Sequence, residues 1–95
     1  MVSRYMKNEQ IVFREEGEGA FLFDPVNGNL KYLNRSAKEI YLMIDGPKAF
    51  ARLLGSVISI YPDSDQNEIE RDLDAFLSDL ANNRFIFVID GETNR

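Results

Sequence analysis

A chain of 95 residues, 44% hydrophobic and 28% charged, has the composition of one soluble globular domain, since so short a chain buries about two-thirds of its unfolded surface and cannot feed two cores. It contains no cysteine and no histidine, which removes thiolate and imidazole catalysis and the soft-ligand sites of zinc, haem and iron–sulfur clusters. Neither a GxxxxGK[ST] or GxGxxG phosphate loop nor a GxSxG elbow occurs, so the chain reads as a non-enzyme with no catalytic, cofactor-binding or metal-binding residues.

No apolar run approaches the roughly 20 residues that span a bilayer. The opening MVSRYMKNEQ lacks the apolar stretch of a secretory signal, and the expectation is a cytoplasmic protein without a membrane contact. The net charge of −5 is concentrated: residues 62–82 carry Asp63, Asp65, Glu68, Glu70, Asp72, Asp74 and Asp79 against Arg71 alone. Such a surface repels a polyanion, which argues against a nucleic-acid partner. The acidic run reads either as a solvated face or as a dock for a basic partner.

Residues 1–9 are polar without a clear period and are expected to fray, as are residues 90–95. QIVFREE, residues 10–16, has the β-branched and aromatic character of a strand; the glycines of EGEG allow a reversal, and AFLFD, residues 20–24, returns as a second strand. Pro25 and Asn27-Gly28 mark the next turn, into NLKYL, residues 29–33. A three-stranded antiparallel meander follows. Phe21 and Phe23 share one face and Leu30 and Tyr32 alternate with Lys31 and Leu33, which suits a sheet buried on one side, and the aromatic residues Phe21, Phe23, Tyr32, Tyr41, Phe50, Tyr61 and Phe76 are expected mostly in the core; a second assignment, with Leu22 and Leu33 inward, stays open.

After Leu33 the period becomes helical. Asn34 or Ser36 can cap, Ser36 to Glu39 has the form of a capping box, and Ala37, Ile40, Tyr41 and Ile44 recur on one face. Gly46 suits a left-handed C-cap and Pro47 the first turn of a second helix, whose apolar stripe is Phe50, Leu53, Leu54, Val57, Ile58 and Tyr61 before Pro62 ends it. A third helix, capped by Asp65 with Glu68 reaching back, carries Ile69, Leu73, Phe76, Leu77 and Leu80 on one stripe. FIFVI, residues 85–89, is a short final strand that must be covered or paired to avoid aggregation. The fold class is therefore α+β: a three-stranded meander, three α-helices in a winged-helix-like arrangement, and a short C-terminal strand, in one domain over residues 1–95.

A meander with a free edge beside an amphipathic helix can accept an extended peptide as a further strand, and residues 29–33 are the candidate edge. In order and spacing, Leu33-Asn34, Ile40, Asp45-Gly46, Tyr61-Pro62, Asp72-Leu73, Phe76-Leu77 and Leu80 resemble the PqqD-like family, the recognition element of ribosomally made modified peptides. The likeness runs from about Phe13 to Ile86. It implies a peptide chaperone that binds the leader of a precursor peptide between the third strand and the third helix and presents it to a radical SAM or other modifying enzyme. On this chain the groove would be Leu30, Lys31, Tyr32 and Leu33 facing Phe76, Asp79, Leu80 and Asn83.

Three departures stand out. Pro47-Lys-Ala-Phe50-Ala replaces the family's TV-x-EI pattern, Asn83-Arg84 stands where a glycine often follows the third helix, and Phe85 to Ile89 is more β-like than the family's usual ending. The competing readings are a winged-helix DNA-binding protein, disfavoured by five acidic residues against one arginine on its reading helix, and a docking subunit of a larger enzyme. A free strand edge also allows a homodimer.

Overall fold

The computed structural model describes residues 3–90. Along the chain lie β1 (Ser3–Lys7), β2 (Val12–Glu16), β3 (Gly19–Phe23), β4 (Leu30–Leu33), α1 (Arg35–Met43), β5 (Lys48–Ala49), α2 (Phe50–Ile60), α3 (Gln66–Asn82) and β6 (Ile86–Asp90). The expected meander is present as the antiparallel sheet β2-β3-β4, followed by the three helices. No helix among the described residues is long and apolar enough to cross a membrane.

A second sheet, ordered β5-β1-β6, holds residues 3–7 as a strand where residues 1–9 were expected to fray; residues 1 and 2 lie outside the described residues. β1 pairs antiparallel with β6 from Ser3↔Asp90 to Lys7↔Ile86, and with β5 through Arg4↔Ala49. β1 lies between two strands at Arg4 and Tyr5 and pairs with β6 over its whole length, and Tyr5 packs against the core. The aggregation-prone FIFVI run is thus paired, with Phe85 and Ile86 in the core and the next three side chains outside it. Of the tail expected to fray, Asp90 belongs to β6 and residues 91–95 lie outside the described residues.

The hairpin between β2 and β3 closes through Gly17 and Glu18, with Gly17 in the left-handed region at φ 58°, the place where a two-residue hairpin calls for glycine. The second turn bears out the Asn27-Gly28 signal. Gly28 has φ 80° and donates to the Asp24 carbonyl at 2.7 Å, while the buried Asp24 carboxylate accepts from the Val26 amide at 2.9 Å.

Two local readings change. Asn34, not Ser36, caps α1: its Oδ1 accepts from the Ala37 amide at 2.9 Å, and Glu39 accepts instead from the Tyr61 hydroxyl at 3.1 Å. The helix ends at Ile44, whose amide donates to the Tyr41 carbonyl, before Gly46. Pro47 therefore precedes the short strand β5, and α2 starts only at Phe50.

The core joins the inward face of β3-β4 to the helices through Leu22, Leu33, Ile44, Leu53, Leu73, Leu77, Leu80, Phe85 and Ile86. Leu22 and Leu33 point inward, which corrects the expectation that Phe21, Phe23 and Tyr32 fill the core and realises the second assignment. Phe21, Phe23, Leu30 and Tyr32 consequently stand on the opposite face. Helix α3 closes with Arg84 in the left-handed region at φ 66°. The Phe85 amide reaches back to the Leu80 carbonyl at 2.9 Å and the Arg84 amide to that of Ala81 at 3.1 Å, the paired bonds of a Schellman ending. Arginine here takes the conformation that the replaced glycine would adopt more easily.

Candidate functional site

Strand β4 is an edge: among the described residues, β3 pairs with it on one side and no strand pairs with it on the other. In particular, residues 86–90 are engaged by β1 and leave this edge free. The Asp24 amide donates to the Asn29 carbonyl at 2.8 Å, and the register continues through Leu22↔Lys31 and Ala20↔Leu33. Because bonded and non-bonded pairs alternate in an antiparallel ladder, Lys31 and Leu33 direct their backbone groups to β3, whereas Leu30 and Tyr32 direct theirs off the free edge. Their N–H and C=O groups are those a further strand would use.

The helical side of the site is a stripe on α3. Asp72, Phe76, Asp79 and Asn83 recur at helical spacing on one face, between the solvent and the buried row Leu73, Leu77 and Leu80. Lys31 joins this stripe to the strand: its Nζ lies 2.7 Å from Asp79 Oδ2. Asn83 steadies the acceptor, its Nδ2 donating to the Asp79 carbonyl at 2.9 Å and reaching Oδ1 at 3.3 Å. Where β4 runs into α1, a cavity of about 370 Å³ opens among Asn34, Ala37, Ile40, Ile69, Asp72 and Phe76. Tyr61 at its rim holds its proton above the ordinary phenol range, through burial and then through its bond to Glu39. Apolar walls with a few polar atoms at the mouth suit a side chain of an extended peptide.

The eight residues singled out from sequence do not all reach this surface. Leu30 and Tyr32 are exposed, Lys31, Phe76 and Asn83 are partly so, and Asp79 faces solvent across the groove. Leu33 and Leu80 are sealed in the core; they form the floor, and their side chains do not line the groove. The helical wall is accordingly more polar than an amphipathic stripe suggests, with one aromatic ring between two carboxylates. Sequence reasoning missed Asn34, Ile40, Ile69 and Asp72 as lining residues. The signal for Asp72 was its place four residues before Phe76, on the same face.

Among the described residues, no three His, Cys, Asp or Glu side chains gather where they could hold a metal ion.

No curated protein sequence matches the chain. Among solved structures, the chain is similar to one described as TbiB1 in complex with the TbiA(β) leader peptide, at 20% identity and a TM-score of 0.75, covering 94% of this chain and 99% of that one. At that identity the likeness shows a shared fold. The model of the family described as coenzyme PQQ synthesis protein D (PqqD) matches residues 19–86, from the first residue of β3 to the first of β6, and the chain belongs to the PqqD family.

Proposed function

We propose that this protein is a non-catalytic chaperone that holds the leader of a ribosomally made precursor peptide as a fourth strand on β4 and presents it to a modifying enzyme, of the radical SAM class or another. The observation that carries the reading is the unoccupied ladder of Leu30 and Tyr32 on a strand that the Lys31–Asp79 ion pair ties to α3. Main-chain bonds to that edge provide affinity that does not depend on sequence, while pockets beside it select side chains. The groove residues are the backbone edge of Leu30 and Tyr32 and the side chain of Lys31 on the strand, and Phe76, Asp79 and Asn83 on the helix, with Leu33 and Leu80 as backing. Membership of the PqqD family and the leader-bound state of a protein with the same fold support this reading.

The test is a titration of isotope-labelled chain with leader peptides encoded in the neighbouring reading frames. Amide shifts centred on Leu30, Tyr32 and the stretch 76–83 are expected, and a flat titration with every such peptide overturns the proposal. Leu30→Asp places a charge on the exposed edge and should abolish capture with the fold intact. Leu80→Asp buries an unpartnered carboxylate and should unfold the domain, which circular dichroism separates from a binding defect.

A further inference from the structure

The face of the meander turned away from the helices carries an uncovered apolar stripe, flanked on β2 by Arg14 and Glu16. Leu30 and Tyr32 are 63% and 54% exposed, and Val12 and Phe23 are 51% and 40% exposed. Phe21 lies opposite Tyr32 with ring centroids 5.2 Å apart, and Phe23 lies opposite Leu30. The stripe thus crosses β2, β3 and β4 and stops at the free edge. Contiguous apolar surface of this kind on a small domain marks an interaction site.

Ladder geometry says what continues it. A strand added antiparallel at β4 forms its hydrogen-bonded pairs at Leu30 and Tyr32, and side chains directly opposite one another stand on the same face. Two residues of the added strand therefore project outward beside Leu30 and Tyr32. The residue between them projects inward, over the Lys31–Asp79 ion pair. Resting on the strand-addition reading above, we propose that the peptide recognised here carries aliphatic or aromatic residues at two positions two apart, packed outward on Leu30 and Tyr32, with a polar or charged residue between them. An apolar residue in the middle position would strip water from Lys31 and Asp79 without replacing its hydrogen bonds. The ligand is then an extended segment read on both faces, its outward side extending the stripe of Phe21, Phe23, Leu30 and Tyr32.

A display library of random peptides about a dozen residues long is selected in parallel on the wild-type chain and on the double variant Leu30→Ser, Tyr32→Ser. Both side chains are exposed, so the fold should persist; threonine at both positions, which favours strands, serves as a second variant. The wild-type chain should enrich an apolar–polar–apolar triplet. Both variants should lose that preference and bind the selected peptide about tenfold more weakly, from cross-strand contacts worth up to about fivefold each, while amide shifts still fall on β4. The same triplet selected by all three chains with unchanged affinity overturns the proposal and leaves strand addition standing. Selected peptides whose shifts lie away from β4, or a selection that enriches nothing, overturn strand addition and this inference together. Sedimentation that finds the wild-type chain dimeric and the variants monomeric, with the same selected pattern, assigns the face to a second copy of the chain instead.

Discussion

Lys31 on β4 and Asp79 on α3 are bonded at 2.7 Å, so the two walls of the groove are tied to each other by opposite charges. Their side chains are 30% and 48% exposed, which limits the pair to less than about 1 kcal/mol of stability. Asp79→Asn should shift the urea midpoint slightly while changing leader affinity and its salt dependence more. A loss of several kcal/mol on denaturation would show that the pair holds the fold together.

Gly19 and Gly17 should respond to alanine for different reasons. A methyl at Gly19 would overlap the Leu33 carbonyl oxygen and the Tyr32 ring, an overpacking worth about 2 kcal/mol. At Gly17 the space is open but φ is positive, and the cost is about 1 kcal/mol of backbone strain. Chemical denaturation of the two variants should rank them in that order.

Arg84→Gly should stabilise the chain by about 0.5–1 kcal/mol, because it relieves a left-handed non-glycine residue at the end of α3. Thermal melting reads the gain. A lower melting temperature would mean that the arginine side chain makes contacts that outweigh its backbone strain.

Asn34→Ala removes the side-chain acceptor of the Ala37 amide and should cost about 1 kcal/mol. Ser36→Ala should cost much less, since Ser36 does not cap the helix. Equal losses would return the cap to Ser36.

Alkaline pH should unfold the protein. Burial raises the Tyr41 and Tyr5 phenols above their ordinary value, with Asp74 adding to the effect at Tyr5, and burial together with Glu39 does the same at Tyr61. In the unfolded chain these groups ionise near pH 10, so it releases protons before the folded chain does. The stability they contribute is fully present below that pH and is lost as pH rises through the higher folded values. Lys7 acts in the opposite sense: burial lowers its value against a partial offset from Asp45, so stability is regained between its lowered value and about pH 10.4. Three phenols against one amine leave a net loss, to be read as delayed phenolate absorbance that appears together with loss of circular dichroism.

Local patterns in the chain were enough to place most elements. The Ile69, Leu73, Leu77 and Leu80 row specifies α3, and the Asp65 carboxylate caps it by accepting from the Asn67 amide at 2.9 Å. The Asn27-Gly28 turn needed only its own residues. What stayed hidden depends on remote partners: SRYMK has no strong alternation of its own and becomes a strand because β6 arrives from the far end of the chain. The sheet faces were misread because β3 carries apolar side chains on both faces and the aromatic ones looked like core. Ala20, Leu22 and Leu33 took the interior, and the larger rings of Phe21 and Tyr32 were left to pair outside. Leu33 and Leu80 were placed in the groove by the family resemblance alone, and a likeness of motif does not tell a wall from the floor beneath it.

Pairing Ser3 with Asp90 sets two sequence-distant points about 5 Å apart. A short covalent link between them would make a ring whose only strain is in the joint, and the Gly17–Glu18 reversal offers a place to reopen it. The circularly permuted polypeptide would keep all three strands of the meander while exchanging the order in which they are synthesised. Its folding rate would then report whether the β1–β6 closure forms early or is the last seam to zip.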